Sequence, residues 1–220
     1  MVRRNPEGTR AELLQAAFDE MHVNGFQGTG LDQILKRTGV TKGALYHHFS
    51  NKNELGYAVL EEVVRPMMMT QFAGIETADD PIEVIRAAMY SAIEDHAEIL
   101  QSGCPLNNLT QEMSEVDDGF RERIEAILRS WHGMVKRGIE RGIETGNVRD
   151  DIDPEGVAAF LIATWEGMAG LGKGTRDLEL VIRAGKVVEG FLDTLRPHGW
   201  MDSSTRISGA PYTGANTGKG

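Results

Sequence analysis

A single cysteine, Cys104, leaves the 220-residue chain without an internal disulfide, so any role for it is that of a thiol. No stretch approaches the roughly 18 consecutive apolar residues of a membrane-spanning helix. The first twenty residues carry charge where a signal peptide needs a hydrophobic stretch, so the expected location is cytoplasmic. Strand-type alternation is missing, as are paired carboxylates, a nucleophile with its base, and a metal-ligand cluster at readable spacing. No catalytic residue, cofactor or metal is therefore implied.

Lysine and arginine are also scarce, and the formal charge of −10 argues at first against a partner made of phosphates. Their distribution reverses that inference. Residues 1–53 hold seven Lys/Arg against five Asp/Glu, a net of +2, whereas the remainder carries −12. A small basic head on an acidic body suits a protein that approaches DNA with one end only.

What the sequence does have is apolar residues at three- and four-residue intervals, which predicts an all-α fold. Leu13, Leu14, Ala17, Phe18 and Met21 stripe a first helix that Asn24-Gly25 stops. A short second helix runs from about Gly30 to Arg37, and Thr41 caps a third that ends near His48, with Val40 and Leu45 as a hydrophobic staple. Longer helices follow at about 52–70, 81–102, 106–113, 117–145, 154–171 and 176–195, which points to a larger bundle around a different core. After Arg196-Pro197 the composition turns to Gly, Ser, Thr and Asn. The expected organisation is thus a head over 1–51, a body over 52–196 and a disordered tail over 197–220.

Within the head, Leu45 and Phe49 lie four apart and supply an inward face, while Lys42 and Tyr46 point elsewhere. Gly43 lets the start of the third helix approach a phosphate or base edge closely. That is the layout of a helix-turn-helix, in which one helix braces the backbone and the next enters the major groove. His47 and His48 invite a metal, but neighbours on a helix point about 100° apart and cannot share an ion.

The stretch GVTKGALYHHFSNKNEL resembles the recognition-helix region of TetR-type regulators, and the likeness spans roughly residues 10–56. The resemblance implies an operator-binding head, a C-terminal bundle that takes a small-molecule effector and pairs with a second copy, and usually repression. It places Thr41, Lys42, Gly43, Tyr46, His47, His48 and Lys52 at DNA-facing positions, Tyr46 and Lys52 on phosphates. Gly30 departs from the family's Ser or Thr, with Thr29 as the substitute for a backbone contact.

GNVRDDIDPEGVAAFLIATWEGM is similar to the family's lead into its first dimer helix. Candidate interface residues are Phe160, Leu161, Met168, Leu178, Val181, Ile182, Val188, Phe191 and Leu192, some of which must serve the monomer's own core. GCPLNNLTQEMSEVDDGFRERI resembles a segment of a subgroup responsive to electrophiles and small unsaturated acids. With Pro105 at the first helical position, Cys104 becomes the cap, and the helix dipole would favour its thiolate. Lys173 would add positive charge by the same resemblance; the alternative is a buried, inert cysteine. Tyr90, Asn107, Asn108, Trp131 and Trp165 are the other candidate pocket residues, with Met67, Met68 and Met69 as adaptable wall.

Residues 167–175, GMAGLGKGT, resemble a phosphate-binding loop, which would make the chain a nucleotide-binding enzyme. Such a loop must leave a buried strand and open a helix inside a parallel sheet, and the surrounding pattern is helical.

Overall fold

The computed structural model describes residues 6–94, 102–197 and 199, and those residues form helices without strands. We number them α1 (Pro6–Gly28), α2 (Leu31–Thr38), α3 (Lys42–His48), α4 (Lys52–Val59), α5 (Arg65–Gln71), α6 (Pro81–Glu94), α7 (Pro105–Met113), α8 (Asp118–Glu144), α9 (Pro154–Thr175) and α10 (Leu178–Thr194). Residues 95–101 of the helix expected over 81–102 and most of the expected tail lie outside the described residues.

Caps explain where most helices begin. Asn51, Asp117, Asp153 and Asp177 each accept a backbone N–H of the first turn of α4, α8, α9 and α10. Gly25, at φ 75°, ψ 166°, breaks the first helix where Asn24-Gly25 was expected to stop it, and a short further turn runs on to Gly28. Two departures from the sequence reading stand out. The expected helix over 52–70 passes through a π-helical turn, Leu60–Val64, between α4 and α5. Pro66 has no N–H to offer the Glu62 carbonyl, and its ring crowds that oxygen, so the backbone widens just before it. The glycines at 167–174 do not end α9, which runs to Thr175 and closes on Arg176 in the left-handed region (φ 54°), whose N–H donates to the Gly172 carbonyl.

The expectation of separate cores is corrected as well. Buried apolar residues run continuously from Leu13, Ile34 and Leu45 in the head through Leu55, Phe120 and Leu106 to Trp131 and Leu192. Phe26 and Tyr57 both meet the Phe120 ring edge-on at 4.6 and 5.0 Å, and a Cβ on Gly56 would lie 2.6 Å from Phe120 and 2.7 Å from Phe26. In the body, α8 packs against α6, α7 and α9, and α10 closes over α9 and α6. The end of α10 is pinned by Arg196, whose buried guanidinium donates to Asp80 at 2.6 Å and Glu83 at 2.7 Å.

Candidate nucleic-acid interface and interior cavity

The head presents one helix outward. Gly39, in the left-handed region at φ 64°, ends α2, and Thr41 then accepts the Ala44 N–H at 3.3 Å to start α3. Leu45 and Phe49 are 0 and 3 % exposed and seat α3 on the core. Thr41, Lys42, Gly43, Tyr46 and His47 are exposed on the opposite side, with Tyr46 at 44 %, and His48 is half-buried with its ring edge against His47. Nothing stands within 4 Å of where a Gly43 side chain would begin.

Two of the expected DNA contacts also serve the head itself. Thr29 is 2 % exposed and donates its hydroxyl to the Gly25 carbonyl at 2.7 Å, so its side chain closes the α1 kink. Lys52 is half-buried; its ammonium donates to the Gln27 carbonyl at 3.2 Å and sits 4.6 Å over the Phe26 ring. Burial lowers its pKa, partly offset by Glu112 nearby. Lys52 thus also braces the head's own backbone.

The same corner joins head to body, and it was not foreseen. The Glu112 carboxylate, on α7, accepts the N–H groups of Phe26 and Gln27 at 2.8 Å each, just past the kink. His22 places Nε2 2.8 Å from the Gly103 carbonyl, so that ring nitrogen carries the proton and donates. Asp117 accepts from Tyr57 at 2.6 Å and Asn53 at 2.9 Å while capping α8, and the Tyr57 hydrogen bond is the main cause holding its pKa below the ordinary carboxylate value. Helix α7 is therefore a strut that α1 holds at both ends, by His22 just before its start and through Glu112 near its finish.

The start of α7 also meets α9. Cys104 caps α7 with Pro105 next, as the spacing implied, but its side chain makes no capping bond. The thiol is 6 % exposed and donates to Glu166 Oε1 at 3.3 Å. Burial first, and the neighbouring Glu166 charge second, push its pKa well above the ordinary thiol value. The dipole-favoured thiolate is thereby corrected: desolvation and a like charge outweigh one helix terminus. Burial also raises Glu166 to about 7. Asn107 donates to the Glu166 carbonyl at 3.3 Å, Asn108 to the Ser102 carbonyl at 2.9 Å, and Lys173 to Asn108 at 2.8 Å. Asn107, Asn108 and Lys173 thus stitch α7 to α9 and its approach.

A cavity does exist one layer deeper, of about 20 Å³, lined by Trp131 and Trp165 together with Phe72, Met89, Leu161 and Met168 among others. Phe72 stands 5.6 Å from Trp131 and 5.4 Å from Trp165, and the two indoles are perpendicular at 6.5 Å. Tyr90, expected there, is 48 % exposed with its hydroxyl on Glu189. Met67, Met68 and Met69 pack on the core without reaching the cavity. Of the candidate interface residues, Leu161, Val181, Val188 and Leu192 are buried within the monomer; Met168, Ile182 and Phe191 are half-buried; Phe160 and Leu178 are exposed at 45 and 40 %. Leu180 and Val187, which fall off the stripe that the core imposes, are also exposed, at 38 and 74 %.

The phosphate-loop reading fails on placement: residues 167–175 lie inside α9, and no strand among the described residues precedes them. A short capped helix seated by two buried side chains, with its polar face outward on a basic head, defines a helix-turn-helix DNA-binding regulator. Known proteins narrow that class. The model for bacterial regulatory proteins of the tetR family matches residues 13–59, and that for the tetracyclin repressor-like C-terminal domain matches residues 81–188. The transcriptional repressor DhaR of Mycobacterium sp. (strain GP1) is 29% identical over 158 residues, 72% of this chain and 79% of that protein. The repressor NemR of Escherichia coli (strain K12) is 26% identical over 181 residues, 81% of this chain and 91% of its own length. The solved TetR-family regulator from Cytophaga hutchinsonii shares the fold with a TM-score of 0.79 at 23% identity, over 89% of this chain and 98% of that one. The chain belongs to the TetR family of transcriptional regulators, a family of DNA-binding proteins and not of enzymes. No helix among the described residues is long and apolar enough to cross a membrane.

Proposed function

We propose that the chain is a homodimeric repressor whose two heads enter successive major grooves of a pseudo-palindromic operator, and which a small molecule in the body releases. The observation that carries this reading is the exposed polar face of α3, Lys42, Gly43, Tyr46 and His47, standing over the buried Leu45 and Phe49. Tyr46 is assigned to a phosphate, Lys42 and His47 to base edges, and Thr41 and His48 to the rim of the contact. The head is taken as residues 1–51 and the body as 52–196, α4 starting at Lys52.

The partner surface is assigned to α9 and α10, where Phe160, Leu178, Leu180 and Val187 are exposed. Gly167, Gly170 and Gly174 open onto free space on α9, which would let a mate's helix come close. Effector binding is read as non-covalent. The electrophile branch of the subgroup resemblance needs a thiolate at Cys104, and burial and Glu166 oppose one.

Coupling follows from the strut. Trp165 lines the cavity and its neighbour Glu166 holds the start of α7, whose Glu112 grips α1 past its kink. A guest that shifts α9 must move or strain α7 and with it the head. The coupling is reciprocal, so operator must weaken effector binding by the same factor. The test is titration of the protein with a double-stranded fragment of its own upstream region at several salt concentrations. Salt-sensitive binding in the wild type is expected, with changed sequence preference in Lys42→Ala and His47→Ala and a uniform loss in Tyr46→Ala. Unaltered binding by all three variants, or none by the wild type, overturns the assignment.

A further inference from the structure

The interior cavity carries more information than its size. None of the residues that line it bears a charge, three are aromatic, and the polar atoms they bring are the two indole N–H groups and the hydroxyl of Thr164. Trp131 is 1 % exposed, and its Nε1 is a buried atom with no hydrogen-bond partner among the described residues. A buried donor left unmade is unfavourable unless something else in that space accepts from it.

We propose that the effector is a small, neutral, ring-bearing molecule with one exposed acceptor oxygen, which accepts the Trp131 Nε1–H while its ring packs among Phe72, Trp131 and Trp165. This rests on the reading of the body as an effector sensor and names the chemistry the sensor selects. Neutrality follows from the walls: a carboxylate or ammonium would enter a lining with no counter-charge and lose its hydration uncompensated. The ring follows from the three aromatic side chains, whose mutual angles of 37°, 63° and 89° leave both edges and faces toward a guest. The acceptor follows from the unpaired indole.

At about 20 Å³ the cavity has room for one water-sized body, whereas a benzene-sized guest needs on the order of 150 Å³. Entry must therefore displace wall atoms. Met89 and Met168, unbranched and with three rotatable bonds each, are the side chains in the lining best able to yield. Because Met168 and Trp165 lie on α9, the same displacement pushes the helix that holds Glu166 and the strut.

The experiment uses three probes of one shape, namely acetophenone, ethylbenzene and benzoate, titrated calorimetrically into the full-length dimer and into Trp131→Phe. Acetophenone should bind the wild type and lose about three- to tenfold more affinity than ethylbenzene does in Trp131→Phe, the worth of one neutral hydrogen bond, because the lost ring contacts weaken both probes alike. Benzoate should bind more weakly than either. In the wild type, which needs no variant to fold, the Trp131 indole proton resonance should move downfield with acetophenone and not with ethylbenzene. Failure of acetophenone to bind, tighter binding of benzoate, an equal loss of affinity for acetophenone and ethylbenzene in Trp131→Phe, or an unmoved indole resonance overturns the proposal, the last pair being what a resident water on Nε1 would give. If acetophenone binds as described but operator affinity is unmoved, the ligand chemistry stands and the effector reading falls.

Discussion

At the scale of single residues, Cys104 and Glu166 show how a correct placement can carry the opposite chemistry. The Cys-Pro pair marks the start of α7, and the structure puts both where the spacing required. What the spacing could not contain is the environment, because Glu166 arrives from α9, 62 positions along. Its only sequence trace is a lone acidic residue in the otherwise apolar run AAFLIATWEGMAGLG. Glu166 has a folded pKa near 7 against an ordinary 4.5, so between those values the folded chain binds a proton that the unfolded chain has already released. Stability from this group is thus full below about 4.5 and declines as pH rises through about 7. Glu166→Gln, which keeps the acceptor for the thiol, should flatten that decline by on the order of 2 kcal/mol, read from urea midpoints at pH 5 and pH 8. An equal pH slope in both proteins would show that Glu166 is not desolvated. Cys104 should also resist iodoacetamide at pH 8, reacting at least about a hundredfold more slowly in the folded chain than in urea. Comparable rates would restore the thiolate.

Elements were legible at their starts and poorly so at their ends. A start is announced by a local device, and Thr41 and the Cys104-Pro105 pair were each readable as the opening of a helix. An end depends on what the helix meets. The glycines of α9 continue the helix because Ala169 and Gly172 are buried against the body, so packing outweighs the modest intrinsic cost of glycine. Past the break at Gly25 the chain turns on to Gly28, where Glu112, 86 positions away from Phe26, satisfies the amides that the break frees. Two substitutions test that joint. Gly25→Ala forces φ 75° on a residue with a Cβ, which would stand 2.8 Å from Glu112 Oε2, and should cost about 1–3 kcal/mol in denaturant unfolding. Glu112→Ala leaves the Phe26 and Gln27 amides without their acceptor and should cost a similar about 1–3 kcal/mol. It should also raise amide exchange at those two positions and blunt effector release of operator, since the strut no longer holds the head. If Glu112→Ala releases from operator as readily as wild type, coupling runs through Asp117 and Tyr57 or another contact.

For the whole molecule, the hardest partition was between residues that fill one chain's core and residues that face a second chain. Both appear as apolar positions three or four apart on the same helices, so periodicity cannot separate them, and of nine candidates four proved interior. Exposure separates them: Val187 is 74 % exposed, and Phe160, 45 % exposed, packs its ring 4.5 Å from Phe191 to make an apolar step between α9 and α10. The charge asymmetry gives that surface its functional weight. A single head offers few cations, and the acidic body is repelled by phosphate, so one copy alone binds a duplex weakly. Pairing makes the second head's contact intramolecular, an advantage on the order of 10²–10⁴ in affinity without any new contact type. Val187→Glu combined with Phe160→Glu should therefore yield a folded monomer by sedimentation equilibrium. Its operator affinity should fall by at least about a hundredfold, and the slope of log affinity against log salt should be close to half that of wild type, because one set of phosphates is released instead of two. A double variant that stays dimeric moves the interface away from α9 and α10. A monomer that keeps the full slope means that the phosphates are held by one head, and that the two-headed docking is wrong.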